Sequence, residues 1–377
     1  MLCFQNFQKH LQKKIDDKQK MWYDVSGYEP VNRSMKILRM NMKAIVLLSG
    51  GLDSVLAVGL MLQQGIEVEA INFATSFCAC KQNKNEAEKA AEKLGIPFKI
   101  LDIFEEIMEI VKHPKHGYGK GINPCIDCHT LMLKKAGEYM LKTGASFIVT
   151  GEVLGQRPMS QHKRAMNTIE KESGLDGLVL RPLSAKLLTP TIPEQNGWID
   201  REKLLAISGR SRKPQIALAE QLNITDYPNP AGGCLLTDAE FARRMRDLLV
   251  STPDPSLNDV QLLKLGRHFR LSETLKVIVA RNDEENNRLV SLIEEKDIRL
   301  QVTNQKGPMA ICRGEINREY LLKAASIVAR YSDDKGESGI MVNGGLDGEE
   351  SLYIQPMDVV EIGGLRIQCV AKCPHKG

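Results

Sequence analysis

The 377-residue sequence has no apolar run approaching the roughly 20 residues that a membrane-spanning helix needs. Residues 1–41 lack the design of a signal peptide, because their short apolar stretches are broken by Lys, Asp and Gln. A cytoplasmic location with no membrane partner is expected. A dominant charge of one sign is also missing. Residues 1–41 hold eight Lys/Arg and four Asp/Glu, which accounts for the whole net charge of +4. From Met42 onward the chain is formally neutral, so only local patches can argue for nucleic acid. Met42 is a candidate start, with 1–41 expected as a poorly ordered extension. No tandem repeat is present. Nine cysteines, an odd count, do not read as a disulfide framework. In a reducing compartment they are expected to be thiols, metal ligands or catalysts.

What is present is centred on Lys43–Val55. Ala44 to Leu48 is a short apolar run suited to a buried parallel strand. Ser49-Gly50-Gly51-Leu52-Asp53-Ser54 follows at once, and Val55 to Gln64 continues as a helix. The glycines allow a tight turn and close approach to a ligand, and amides at a helix start favour an anion. Ser49 and Ser54 add hydroxyl donors, and Asp53 is placed to hold a Mg²⁺ that bridges phosphates. No Lys follows the glycines, so this is not a Walker A loop. The stretch resembles the SGGxDS pyrophosphate loop of the PP-loop ATPases. That resemblance implies splitting of ATP between its α- and β-phosphates and adenylation of an acceptor oxygen. A Gly-rich turn without a ligand is the bland alternative.

Strands are expected at Glu67–Phe73, Pro97–Leu101, Ser146–Thr150 and Gly177–Leu183, with helices at Glu86–Leu94 and 126–143 and a polar helix after Gln161. That alternation predicts a doubly wound α/β domain over 42–250, with ligands at the carboxyl ends of its strands. Pro253 and Pro255 mark the expected boundary to a smaller α+β module, 255–377. Strands are expected there at Gly266–Leu271, Thr274–Ala280, Ile298–Thr303 and Pro308–Cys312, with helices at Asp283–Glu295 and Asn317–Arg330.

Cys125 and Cys128 have C-x-x-C spacing after a Gly/Pro-rich loop, and Cys234 follows two glycines in another loop. They are read as one catalytic or metal-binding set. A [4Fe-4S] cluster with an open iron is the preferred form, a persulfide with a resolving thiol the alternative, and zinc completed by His129 or Cys80 the metal runner-up. Cys78-Ala-Cys80 reads equally well as a small-residue turn. Arg157, Lys163 and Arg164, then Arg210, Arg212 and Lys213, then Arg243, Arg244 and Arg246, are short basic clusters that together would suit a phosphate backbone. Arg267 and Arg270 flank His268-Phe269 on a strand of the second module.

Leu47–Ser54, Thr150-Gly151-Glu152-Val153-Leu154-Gly155-Gln156, Leu180-Arg181-Pro182-Leu183 and Gly233-Cys234 together resemble the catalytic domain of tRNA 4-thiouridine synthase, over about residues 43–250. The C-x-x-C with a distal Cys is also similar to the iron–sulfur subgroup of PP-loop thiolases. The resemblance implies ATP bound by Ser49, Gly50, Gly51, Asp53, Ser54, Thr150 and Gly151. It also implies a tRNA or other RNA substrate, and sulfur from a cysteine desulfurase persulfide or free sulfide. The usual RNA-binding THUMP domain and a rhodanese domain are not found. Gly266–Arg270 and Lys276–Arg281 instead resemble the NFACT RNA-binding module, and RNA contacts are expected from Arg157, Lys163, Arg164, Arg267 and Arg270, with Arg281 joining them. A homodimer is left open. The rival readings are an ammonia-using PP-loop ligase of the amidotransferase or deazapurine nitrile synthase type, and a non-enzymatic RNA-binding protein with a retained ATP site.

Overall fold

The structure is a computed structural model that describes residues 42–77, 83–225, 227, 233–302, 307–332, 340–343 and 350–367. The 1–41 extension and the Cys78-Ala-Cys80 turn lie outside the described residues. The chain divides into two compact units. One takes the described residues up to Gly119 and then Asn123–Gly233, and the other takes Lys120–Ile122 and everything from Cys234.

In the first unit β1 (Lys43–Leu47) is flanked by β2 (Glu67–Ala74) and β4 (Phe147–Thr150). Ala44, Val46 and Leu48 enter one apolar cluster and Ile45 enters another on the opposite face. A strand covered on both faces needs an unbroken apolar run, which is what Ala44–Leu48 supplies. The helix α1 (Leu52–Gln63) packs into the first cluster, where Val55, Leu56, Val58 and Met61 are buried. Next come α2 (Asn83–Leu94), β3 (Phe98–Asp102) and α3 (Phe104–Lys112). The helix α4 (Cys125–Thr143) places Leu133, Ala136 and Met140 in the second cluster and ends at Gly144, whose φ of 73° suits a glycine cap. After β4 come α5 (Lys163–Ser173), β5 (Val179–Leu180), α6 (Ile192–Gln195) and α7 (Lys213–Gln221). The strand order is β3-β2-β1-β4-β5, and every recorded pairing is parallel. The order reverses between β1 and β4, and a ligand crevice is expected at their carboxyl ends.

In two places this unit differs from the sequence expectation. The strand expected over Gly177–Leu183 is only Val179–Leu180, because the chain turns at Arg181, whose carbonyl accepts from the Ser184 amide at 3.0 Å. The helix α3 was not expected. The Asp102 carboxylate accepts from the Phe104 amide at 2.9 Å, and Ile107, Met108 and Val111 form the buried side.

The second unit contains α8 (Ala239–Ser251), α9 (Leu257–Leu262), β6 (Arg267–Arg270), β7 (Lys276–Val279), α10 (Asp283–Val290), β8 (Ile298–Val302) and β9 (Met309–Arg313). It continues through α11 (Arg318–Arg330), β10 (Ile340–Asn343), β11 (Ser351–Ile354) and α12 (Val359–Leu365). Its antiparallel sheet has the order β11-β10-β8-β9-β7-β6, with α11 packed on one face through Leu321, Ala324, Ala325 and Val328. The units divide at Cys234, earlier than the boundary expected at Pro253. The physical reason is α8: its Asp247 accepts from Arg270 Nη2 at 2.6 Å, which ties the helix to β6. Lys120–Ile122 joins the same unit, with Arg246 donating to the Gly121 carbonyl at 2.6 Å and the Ile122 amide to the Leu236 carbonyl at 2.9 Å.

Candidate active site

The turn between β1 and α1 is shaped by its own hydroxyls. Ser54 Oγ donates to the Gly51 carbonyl at 2.8 Å and accepts from the Ser49 amide at 3.2 Å. Ser49 Oγ accepts from the Gly51 amide at 3.3 Å. The amides of Leu52 and Asp53 precede the first helical bonds, which run from Ser54 and Val55 to the Gly51 carbonyl. Amides in that position, with the helix dipole behind them, form an anion site.

Two glycines are dictated by packing. Gly50 has φ +78°, and a Cβ there would lie 2.7 Å from the Ala87 nitrogen of α2. A Cβ on Gly151, just past β4, would lie 2.5 Å from the Ser54 nitrogen. A Cβ on Gly51 would meet only Ser49 Oγ at 3.4 Å, so the protein itself does not require glycine there.

Asp53 Oδ2 accepts from Gln156 Nε2 at 3.0 Å. Its Oδ1 is buried without a hydrogen-bond partner among the described residues. An unpartnered carboxylate oxygen beside an anion-binding turn fits a divalent cation, and Mg²⁺ held there would neutralise phosphate charge.

A second constellation starts at the first residue of α4. Cys125 stands there and His129 stands one helical turn on, so their side chains meet. Burial pushes the Cys125 thiol up. The hydrogen bond and charge of His129 outweigh it, helped by Ser160 and Arg157, and the thiol falls below its ordinary 9.0. The start of a helix favours a thiolate in the same sense. Burial alone would push His129 down, but Cys125 and Glu152 raise it to about 9. His129 Nδ1 lies 3.1 Å from Glu152 Oε1. The two groups therefore support each other's charged forms, a thiol shifted toward thiolate beside an imidazole shifted toward imidazolium.

Glu152 is the hub. Its Oε2 accepts from Arg181 Nε at 2.9 Å and from Thr150 Oγ1 at 3.1 Å. Burial would raise its carboxyl, but the Arg181 charge and then His129 hold it far below the carboxylate range. Arg181, itself buried, also donates to Glu170 of α5.

The structure thus brings together Ser49, Gly50, Gly51, Asp53, Ser54 and Gly151, while Thr150 turns its hydroxyl to Glu152. Cys125 and Cys128 lie one turn apart on α4, which suits two ligands of one centre, whereas Cys234 belongs to the second unit. Among the described residues no three Cys, His, Asp or Glu side chains gather as a metal-ligand set. Sequence reasoning alone gives Glu152 and Arg181 no role beyond their motifs, and His129 only that of a spare zinc ligand. Their signal was the i, i+4 spacing of Cys125 and His129, and a charged residue after each of two apolar strands.

Arg157, Lys163 and Arg164 are exposed. Arg267 lies over the Tyr331 ring, 4.5 Å from its centroid, and donates to the Ala280 carbonyl at 3.1 Å. Arg270 is engaged by both oxygens of Asp247, at 3.0 and 2.6 Å, and by Ser251 Oγ. Arg281 is 38% exposed and pairs loosely with Glu285 at 3.5 Å.

A parallel sheet with this turn at its switch point defines a PP-loop nucleotide-binding α/β domain, joined to a smaller antiparallel-sheet domain. Residues 40–186 match the family model described as thiamine biosynthesis protein (ThiI), and residues 266–363 match the NFACT protein RNA binding domain. Both agree with the resemblances drawn from the sequence. The chain is 27% identical over 221 residues to tRNA-specific 2-thiouridylase MnmA of Fervidobacterium nodosum, covering 54% of this chain and 59% of that protein. It is 26% identical over 245 residues to the protein of the same name from Frankia alni, covering 60% and 65%. The chain therefore spans about three-fifths of the length of these relatives. A solved 4-thiouridine synthetase–RNA complex with bound ATP aligns at 21% identity over 48% of this chain and 52% of that chain. Its TM-score of 0.33 is too low to carry an argument. Among the described residues no helix is long and apolar enough to cross a membrane.

Proposed function

We propose that the chain is an ATP-dependent tRNA sulfurtransferase that adenylates a base carbonyl oxygen and replaces it with sulfur. The observation that carries this reading is the tripeptide Thr150-Gly151-Glu152. Gly151 packs on the phosphate turn and Glu152 holds His129, so one strand end serves both the anion site and the thiolate. The activity named for the relatives, tRNA-specific 2-thiouridylation, and the match to an RNA-binding domain support an RNA substrate.

A carbonyl oxygen leaves poorly, and adenylation makes it a good leaving group. The base oxygen attacks the α-phosphorus of ATP, and the turn's amides receive the charge of the departing pyrophosphate. The Cys125 thiolate takes the outer sulfur of a donor persulfide, releasing the donor's thiolate. That sulfur then attacks the adenylated carbon, and AMP leaves. A second thiol, Cys128 or Cys234, breaks the sulfur–sulfur bond. This yields the thio-base and a disulfide that an external thiol reduces. His129 keeps Cys125 ionised, and Glu152 with Arg181 fixes His129. A [4Fe-4S] cluster is the second route, favoured by the one-turn spacing of Cys125 and Cys128.

The test is incubation of the full chain with unmodified tRNA, Mg·ATP and a persulfide donor. Equal amounts of AMP, pyrophosphate and thio-nucleoside are expected. ADP as the main product, or an aminated base without sulfur, would refute the proposal. Iron and sulfide in anaerobically purified protein select the cluster route, and colourless active protein selects the persulfide.

A further inference from the structure

We propose that the outer face of α5 binds the phosphodiester backbone of the RNA, an assignment that rests on the RNA-substrate reading. Lys163, Arg164, Asn167, Thr168 and Lys171 line one open groove. Their spacing puts them on one side of the helix, over about 12 Å at 1.5 Å per residue. Lys163, Arg164 and Lys171 are exposed, and none has a carboxylate partner among the described residues. Nearby cations do: Lys112 pairs with Glu109, Lys115 with Glu172 and Lys135 with Glu106. The Asn167 side-chain amide makes no hydrogen bond among the described residues, while Thr168 Oγ1 donates back to the Arg164 carbonyl at 3.0 Å.

The placement is also electrostatically unfavourable. Lys163 and Arg164 stand in the first turn of α5, which holds no acidic residue, and the positive end of the dipole disfavours cations there. An anionic ligand reverses that cost.

The chemistry favours phosphate over a protein partner. The groove has no aromatic or aliphatic anchor, and interface centres between proteins are depleted in Lys. Mobile ammonium groups, a guanidinium and a side-chain amide are the donors that phosphate oxygens take. Glu170, which borders this face one turn beyond Asn167, reaches Arg181, so the surface belongs to the element that braces the Cys125 site.

The test uses the full chain carrying Lys163→Ala, Arg164→Ala and Lys171→Ala together, titrated with unmodified tRNA across a salt series. Each lost contact removes about 0.7–0.9 from the slope of log Kobs against log salt. The slope is expected to become shallower by about 2, with tRNA affinity at low salt falling at least about tenfold. Lys163→Arg with Lys171→Arg should keep the wild-type slope. An unchanged rate of Cys125 alkylation confirms that the triple variant is folded. Wild-type tRNA binding with a slope unaffected by the triple change overturns the proposal. If, in addition, sulfur transfer from a protein donor falls while transfer from free sulfide does not, the face binds that protein instead. If the wild-type chain shows no salt-dependent tRNA binding, the RNA-substrate reading fails and this surface with it.

Discussion

The Cys125 thiol is set within a chain of three neighbours: His129 beside it, Glu152 behind His129, and Arg181 behind Glu152. Each charge is tolerable in its buried place because the next one compensates it. Alkylation of Cys125 at neutral pH should therefore be faster than that of an ordinary thiol, since its thiol is shifted below the usual 9.0. His129→Ala removes the largest opposition to burial and should move the inflection of the alkylation profile upward. An unmoved inflection, read by mass spectrometry of the Cys125 peptide, would show that the imidazole does not set the charge. Arg181→Met leaves buried Glu152 and half-buried Glu170 without the Arg181 cation. Breaking such a pair costs about 3–5 kcal/mol, so the urea midpoint should fall sharply. A variant as stable as the parent would mean that the two carboxyls are protonated or hydrated.

The strand–turn–helix from β1 into α1 was legible in the sequence because apolar run, glycine pair and the turn's serines are contiguous. The thiolate site was only half legible. Cys125 stood out through its C-x-x-C spacing, but Glu152 and Arg181 meet only because β4 and β5 are neighbours in the sheet, a pairing that no local pattern announces. The shortness of β5 has the same origin, since Arg181 leaves the strand to reach Glu152. The engagement of Arg270 by Asp247 was not legible, because a basic residue on a strand carries no sign of its partner and Asp247 lies on another element. At the turn, the packing separates two kinds of glycine. Gly151→Ala should disturb the fold, because its Cβ would press on the Ser54 nitrogen at 2.5 Å. Gly51→Val should leave the urea midpoint nearly unchanged but abolish ATP binding, because only a ligand needs that space. Calorimetric titration with ATP and urea melts of both variants check this, and full ATP affinity for Gly51→Val would place the nucleotide elsewhere.

The whole chain joins a PP-loop domain to an antiparallel-sheet module matched by an RNA-binding family, and the division falls at Cys234 rather than at the prolines. The prolines mark a composition shift that falls after α8, whose acidic Asp247 is claimed by Arg270 and Lys276 of the second sheet. Deleting 255–377 should therefore leave α8 without its cations and lower the urea midpoint of the remnant, and a remnant as stable as the full chain would separate α8 from that sheet. The central claim is that Cys125 carries the sulfur and that ATP licenses its release to RNA. Intact-protein mass spectrometry after loading with a persulfide donor tests this most directly. One added sulfur should map to Cys125, be absent in Cys125→Ser, and disappear only when both Mg·ATP and tRNA are supplied. Sulfur that loads elsewhere, or that leaves Cys125 for tRNA without ATP, would contradict the account.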